Sequence, residues 1–148
     1  MSPNSTRLAG RTALITGSTG GLGAAIAQAF AEAGAFVVVS GRNKERGDQV
    51  VAKIRSDGGE ASFVGTDLSG GEVSALSLAE EATAAAGGRI DILVNNAATL
   101  LLPTPTAEIP EQMLRDVFAV NVFAPFLLTG LIAPAMVGRG QGAIVNIG

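Results

Sequence analysis

The chain has 148 residues and a net charge of -3, with no Cys, His, Tyr or Trp. That length suits one domain with a core, burying roughly two-thirds of the unfolded surface. The missing residue types exclude disulfides, thiolate and imidazole chemistry and the usual zinc ligands, and without a basic tract nucleic acid and anionic membranes are poor partners.

Residues 1–8 lack the apolar run of a secretory signal and read as a flexible N-terminal tail, so the expected compartment is cytoplasmic. The domain is expected over 9–148. Thr12 to Ile15 is a short apolar strand that enters the glycine cluster Gly17, Gly20, Gly21 and Gly23. Leu22, Ile26, Ala29, Phe30 and Ala33 then recur at helical spacing, and Gly34 stops the helix. A strand, a glycine turn and a helix whose N-terminal N–H groups are free is a layout that holds phosphate.

Ala35 to Val39 reads as a strand buried on both faces, and a second helix carries Val50, Val51 and Ile54 on one side up to Asp57-Gly58-Gly59. A third strand around Ala61 and Phe63 ends near Asp67-Leu68. The third helix is expected to use Val73, Leu76 and Ala79, and Gly87-Gly88 closes it. Ile90 to Val94 is a fourth strand running into Asn95-Asn96-Ala97-Ala98. After a proline-containing loop, a long helix spans roughly Glu111 to Val137, and Ala143 to Ile147 is a fifth strand.

Within the long helix, 21 residues from Val117 to Val137 carry no charge. Length alone would allow a membrane span, but Asn121, Pro125 and Pro134 interrupt it, and a covered or interface helix shares the pattern. The expectation is no membrane. Strands alternating with helices predict an α/β, Rossmann-type doubly wound parallel sheet in the order 3-2-1-4-5.

Thr16-Gly17-x-x-x-Gly21-x-Gly23, Asp67-Leu68, Asn95-Asn96-Ala97 and Asn121, in this order and spacing, resemble the short-chain dehydrogenase/reductase family. The resemblance runs from about Ala9 to Gly148. It implies an NAD(P)-dependent oxidoreductase that moves a hydride between the nicotinamide and a carbonyl or alcohol. Gly17, Ser18, Gly21, Leu22 and Gly23 would hold the pyrophosphate and ribose through backbone N–H groups. Asp67 and Leu68 would meet the adenine, Ala97 would lie beside the nicotinamide ribose, and Asn95, ending strand four, would be a further cofactor-binding residue. Ala98 stands where the family usually has glycine.

NAD-preferring relatives carry an aspartate where this chain has Gly41, followed here by Arg42. A guanidinium beside an open position suits a 2′-phosphate, so NADP(H) is favoured over NAD(H). Arg42 also admits a plain reading as a solvated arginine at a helix start. Asn121 matches the asparagine of the family's catalytic tetrad, thought to hold a water in the proton relay; read alone, it could instead bond a backbone carbonyl freed by Pro125.

The family's catalytic serine would follow the fifth strand, and its tyrosine and lysine come later. Tyrosine is absent here, and Lys44 and Lys53 are the only lysines. The expectation is therefore the front portion of a reductase, truncated after strand five and inactive alone. A non-catalytic nucleotide-binding module and an interaction protein are the competing readings. The complete enzyme would be a homodimer or homotetramer acting on a small molecule. An uncovered fifth strand and long helix would make this chain aggregation-prone.

Overall fold

The computed structural model describes residues 6–148. Five strands form one parallel sheet: β1 (Thr12–Ile15), β2 (Phe36–Gly41), β3 (Glu60–Gly65), β4 (Ile92–Asn95) and β5 (Ala143–Asn146). Their order is β3-β2-β1-β4-β5, as the alternating pattern predicts. Ile15 pairs with both Val39 and Val94, so β1 is central, and the ends of β1, β2 and β4 come level beneath the glycine turn.

One layer, α1 (Gly21–Glu32) and α2 (Lys44–Ser56), packs Ala24, Ala27, Val50 and Ile54 against Ala13, Ile15, Val37 and Val39. The opposite layer is α3 (Glu72–Ala85) with a long helical segment made of α4 (Glu111–Phe118), a π turn (Ala119–Phe123) and α5 (Ala124–Arg139). Alternate strand residues face opposite layers, so Val37 and Val39 look one way and Leu14, Val38 and Leu93 the other.

α3 buries Ala79 as expected, but not Val73 or Leu76. Ala75, Leu78, Ala79 and Ala82 are inside, whereas Val73 is 78% exposed and Leu76 43%. Apolar residues surround this helix, so its periodicity is weak, and the small alanines let it sit close to the sheet.

The long segment Glu111–Arg139 has 29 residues and contains an 18-residue window with a mean hydropathy of 1.9, long and apolar enough to cross a membrane by those measures alone. It lays Ala124, Leu128, Ile132 and Met136 on the sheet and α3. Pro125 lacks the N–H that would bond the carbonyl of Asn121 four residues back, and the π turn lies at that gap.

Residues 1–5 of the expected tail lie outside the described residues. Leu8 packs on the core and donates its N–H to the Ala33 carbonyl at 2.8 Å.

Candidate nucleotide-binding site

The carboxyl ends of β1 to β4 open into a cleft of about 400 Å³, within the usual range for small-molecule sites. Gly17 forms its floor, Gly41 and Arg42 one side, Asp67 and Leu68 a second, and Ala97 a third. This is where a doubly wound sheet leaves its ligand crevice, because β2 and β4 flank β1 with their connections on opposite faces.

Glycine is required at the turn for different reasons at different positions. Gly17 has φ +62°, and an added Cβ would lie 2.7 Å from the Cα of Ala97. Gly23 is helical, but a Cβ there would lie 2.2 Å from the Gly17 carbonyl oxygen and 2.6 Å from Asn96 Nδ2. The first backbone bond of α1 runs from Ala24 N–H to the Gly20 carbonyl. The N–H groups of Gly21, Leu22 and Gly23 are therefore the unpaired donors of a helix N-terminus, bordering the turn. The Leu22 side chain points to solvent, 59% exposed.

Ser18 departs from the expected role. Its N–H donates to the Ser40 carbonyl at 2.9 Å, and its hydroxyl donates to the Ile15 carbonyl at 2.6 Å while accepting the Ser40 N–H at 2.9 Å. Fully buried, Ser18 clamps the turn to the end of β2 and has no N–H left for a phosphate.

Asn95 is likewise outside the cleft lining. It is 5% exposed and its Nδ2 donates to Asn146 Oδ1 at 2.9 Å, across the β4–β5 pair. The adjacent Asn96, which sequence reasoning left without a separate role, connects β4 to the turn. Its Nδ2 donates to the Thr16 and Gly17 carbonyls, both at 3.1 Å. Thr16 Oγ1 accepts the N–H groups of Asn96 at 3.0 Å and Ala97 at 2.9 Å. The signal that separates the two amides is strand alternation: consecutive residues point to opposite faces. Ala98 is exposed, and among the described residues no non-glycine residue has positive φ, so alanine fits the position without backbone strain.

Asp67 accepts from the Ser69 hydroxyl at 2.7 Å and the Ser69 N–H at 3.0 Å, capping the short 3-10 turn Leu68–Gly70. Those two bonds, with a smaller contribution from the Arg42 charge, outweigh its partial burial and hold its carboxyl below the usual carboxylate range. Arg42 is exposed at the rim. Thr19, Thr66, Asp116 and Val120 also line the cleft and escape the motif pattern.

Asn121 lies in the π turn and faces the loop after β4. Its Oδ1 accepts the Thr99 N–H at 2.8 Å and its Nδ2 donates to the Thr99 carbonyl at 2.9 Å. The amide thus bonds both backbone groups of one residue, Thr99, and pins the cleft's third wall. Its partner is this loop, not a carbonyl freed by Pro125.

Free N–H groups at a helix N-terminus next to a Cβ-free glycine floor are the chemistry that phosphate binding uses, although Gly21, Leu22 and Gly23 border the cleft and do not line it. This geometry defines a Rossmann-type nucleotide-binding protein. The short chain dehydrogenase family model matches residues 11–148, and the chain belongs to that family. It is 38% identical over 146 residues to the short chain dehydrogenase/reductase dpchG of Colletotrichum higginsianum, covering 97% of this chain and 54% of that protein. D-threitol dehydrogenase of Mycolicibacterium smegmatis is 36% identical, over 95% of this chain and 53% of its own length. Among solved structures, a metagenomic short-chain oxidoreductase in complex with NADP superposes with a TM-score of 0.89 at 37% identity, covering 95% of this chain and 62% of that one. The 3-oxoacyl (acyl-carrier-protein) reductase of Agrobacterium tumefaciens, with NADP bound, gives 0.87 at 38%, covering 95% and 53%. The chain spans about half the length of the curated relatives it matches.

Proposed function

We propose that this chain is the coenzyme-binding part of an NADP(H)-dependent oxidoreductase acting on a small carbonyl or alcohol substrate, in the cytoplasm and as a homodimer or homotetramer when complete. The observation that carries the coenzyme reading is the pairing of Gly41 with Arg42 on one cleft wall. A wall without a carboxylate and with a guanidinium accepts a 2′-phosphate, and a charge-assisted bond of that kind is worth about 1.5–3 kcal/mol before solvent screening. The NADP bound in two of the similar solved structures supports the reading.

NADP(H), when bound, would supply or accept the hydride. The chain's own part would be to hold phosphate at the Gly21, Leu22 and Gly23 N–H groups, meet the adenine side with Asp67 and Leu68, and keep Ala97 against the ribose beside the nicotinamide. Asn121, by holding Thr99, would fix the wall on which Ala97 rests.

The absence of tyrosine favours a second reading, in which the 148-residue chain binds coenzyme without turning it over. Its lysines do not supply a substitute: Lys44 pairs with Asp48 and Lys53 with Asp57, both on the exposed face of α2.

Side-by-side fluorescence titration with NADPH and NADH tests the coenzyme assignment. The expected result is about ten- to hundredfold tighter binding of NADPH. Equal affinities, or tighter NADH, would overturn it.

A further inference from the structure

The wall formed by Gly41 and Arg42 has a third member, Thr19, and its position bears on coenzyme choice. Gly41 ends β2 and pairs with Gly65 of β3. Its φ is outside the left-handed region, so any residue could adopt this backbone. Space, not conformation, is what requires glycine. An added Cβ would lie 2.5 Å from Thr19 Cγ2, 3.1 Å from Thr19 Oγ1 and 3.4 Å from Thr19 Cβ.

Two adjustments could relieve this contact, and the structure opposes both. Rotating Thr19 to another staggered rotamer clears one γ atom but leaves the other about as near as the present 3.1 Å contact, still tighter than ordinary packing. Shifting the backbone is blocked on both sides. Ser18, next to Thr19, is bonded twice to Ser40, next to Gly41, each bond 2.9 Å long. From the other side, the Gly41 carbonyl accepts the Thr66 N–H at 3.0 Å. The turn and the strand end are clamped together with Thr19 lying over Gly41.

We infer that Thr19 is a specificity-determining residue: packed on Gly41, it keeps side chains, and above all a carboxylate, out of the place beside Arg42. The preference for a 2′-phosphorylated coenzyme then belongs to the Thr19–Gly41 pair as well as to the Arg42 charge, and a single substitution at Gly41 does not invert it. The inference rests on the dinucleotide reading of the cleft.

The test is a titration of NADPH and NADH, by fluorescence, against the wild-type chain and the variants Gly41→Ala, Gly41→Asp, Thr19→Ala/Gly41→Ala and Thr19→Ala/Gly41→Asp, each checked for folding by circular dichroism. Alanine at a position with ordinary φ is normally harmless or stabilising, so loss of binding in Gly41→Ala would report the contact with Thr19. Gly41→Ala is expected to weaken NADPH about tenfold, and Thr19→Ala/Gly41→Ala to regain most of that loss. Gly41→Asp is expected to gain nothing for NADH, whereas Thr19→Ala/Gly41→Asp binds NADH about tenfold tighter than Gly41→Asp. Where a Gly41 variant does not fold, recovery of its melt by Thr19→Ala supports the pair and failure to recover overturns it. The inference also fails if Gly41→Ala binds NADPH like wild type, or if Gly41→Asp alone takes NADH as tightly as the double variant. Either outcome, with wild type still preferring NADPH, leaves the coenzyme reading standing. A wild type that prefers NADH removes that reading itself.

Discussion

Gly23 and Gly130 are both helical glycines, yet alanine should act on them in opposite directions. A Cβ at Gly130, in α5, meets nothing within 4 Å, so Gly130→Ala is expected to stabilise by about 0.5–1 kcal/mol through helix propensity. At Gly23 the same propensity gain is offset by contacts at 2.2 Å and 2.6 Å with the turn and Asn96. Gly23→Ala is expected to destabilise by about 1–3 kcal/mol, as overpacking does. Urea denaturation of the two variants checks the pair, and equal signs would contradict the packing described at the turn. Ser18 and Asn95 show where residue-level legibility stopped. Motif position marked both as coenzyme contacts, but the Ser18 N–H and hydroxyl are taken by Ser40 and Ile15, and the Asn95 Nδ2 by Asn146. A hydrogen bond between residues 22 or 51 positions apart leaves no trace in local pattern. Thr19 over Gly41 escaped for the same reason.

Among the elements, the strands were the most legible. Four short β-branched or aliphatic runs match β1, β2, β4 and β5 closely; for β1, β2 and β4 burial on both faces demands unbroken apolar sequence, while β5 is an exposed edge with the same apolar run. The glycine turn and α1 followed for the same reason. The helix layer over the other face was less legible. α3 turns Ala75, Leu78, Ala79 and Ala82 inward, a choice made by close packing on the sheet and hidden because apolar residues such as Val73 and Leu76 also lie on its exposed side. The π turn, too, divides what reads as one helix. β4 has a further polar anchor at its start. Asp91, 2% exposed, accepts the Thr12 N–H at 2.9 Å and pairs with Arg89 at 2.8 Å. Burial pushes its carboxyl up, but the Thr12 N–H and Arg89 together outweigh burial and hold it below its ordinary value. A carboxyl depressed in the folded state contributes stability that is present above the unfolded pKa of about 3.9 and lost as pH falls through the folded value. Asp67 acts in the same direction from its exposed turn. Asp91→Asn is therefore expected to cost about 1–3 kcal/mol at pH 7 and to flatten the fall in stability between pH 4 and the acid limit. Denaturation midpoints measured across that range check it, and superimposable wild-type and variant curves would contradict the anchor.

Across the whole molecule, the two helix layers leave different surfaces. Along the π turn and α5, Val122, Phe123, Phe126 and Val137 are half or more exposed, Phe126 by 80%. The sheet's other apolar residues are covered, so the fold is complete around β1 and open at the long helix and β5. The nucleotide cleft touches that side only through Asp116 and Val120. It depends on β1, β2, β3 and β4 and on the loop that Asn121 pins. The proposed phosphate contacts, Gly21, Leu22 and Gly23, lie at the start of α1, in the helix layer on the opposite face of the sheet. The most direct test of that claim is hydrogen exchange of individual amides, followed by NMR with and without NADPH. The Ser18 N–H, already bonded to Ser40, should be protected in both states, while Gly21, Leu22 and Gly23 should exchange freely alone and become protected when NADPH is added. Unchanged exchange at Gly21, Leu22 and Gly23 under saturating NADPH would contradict the account.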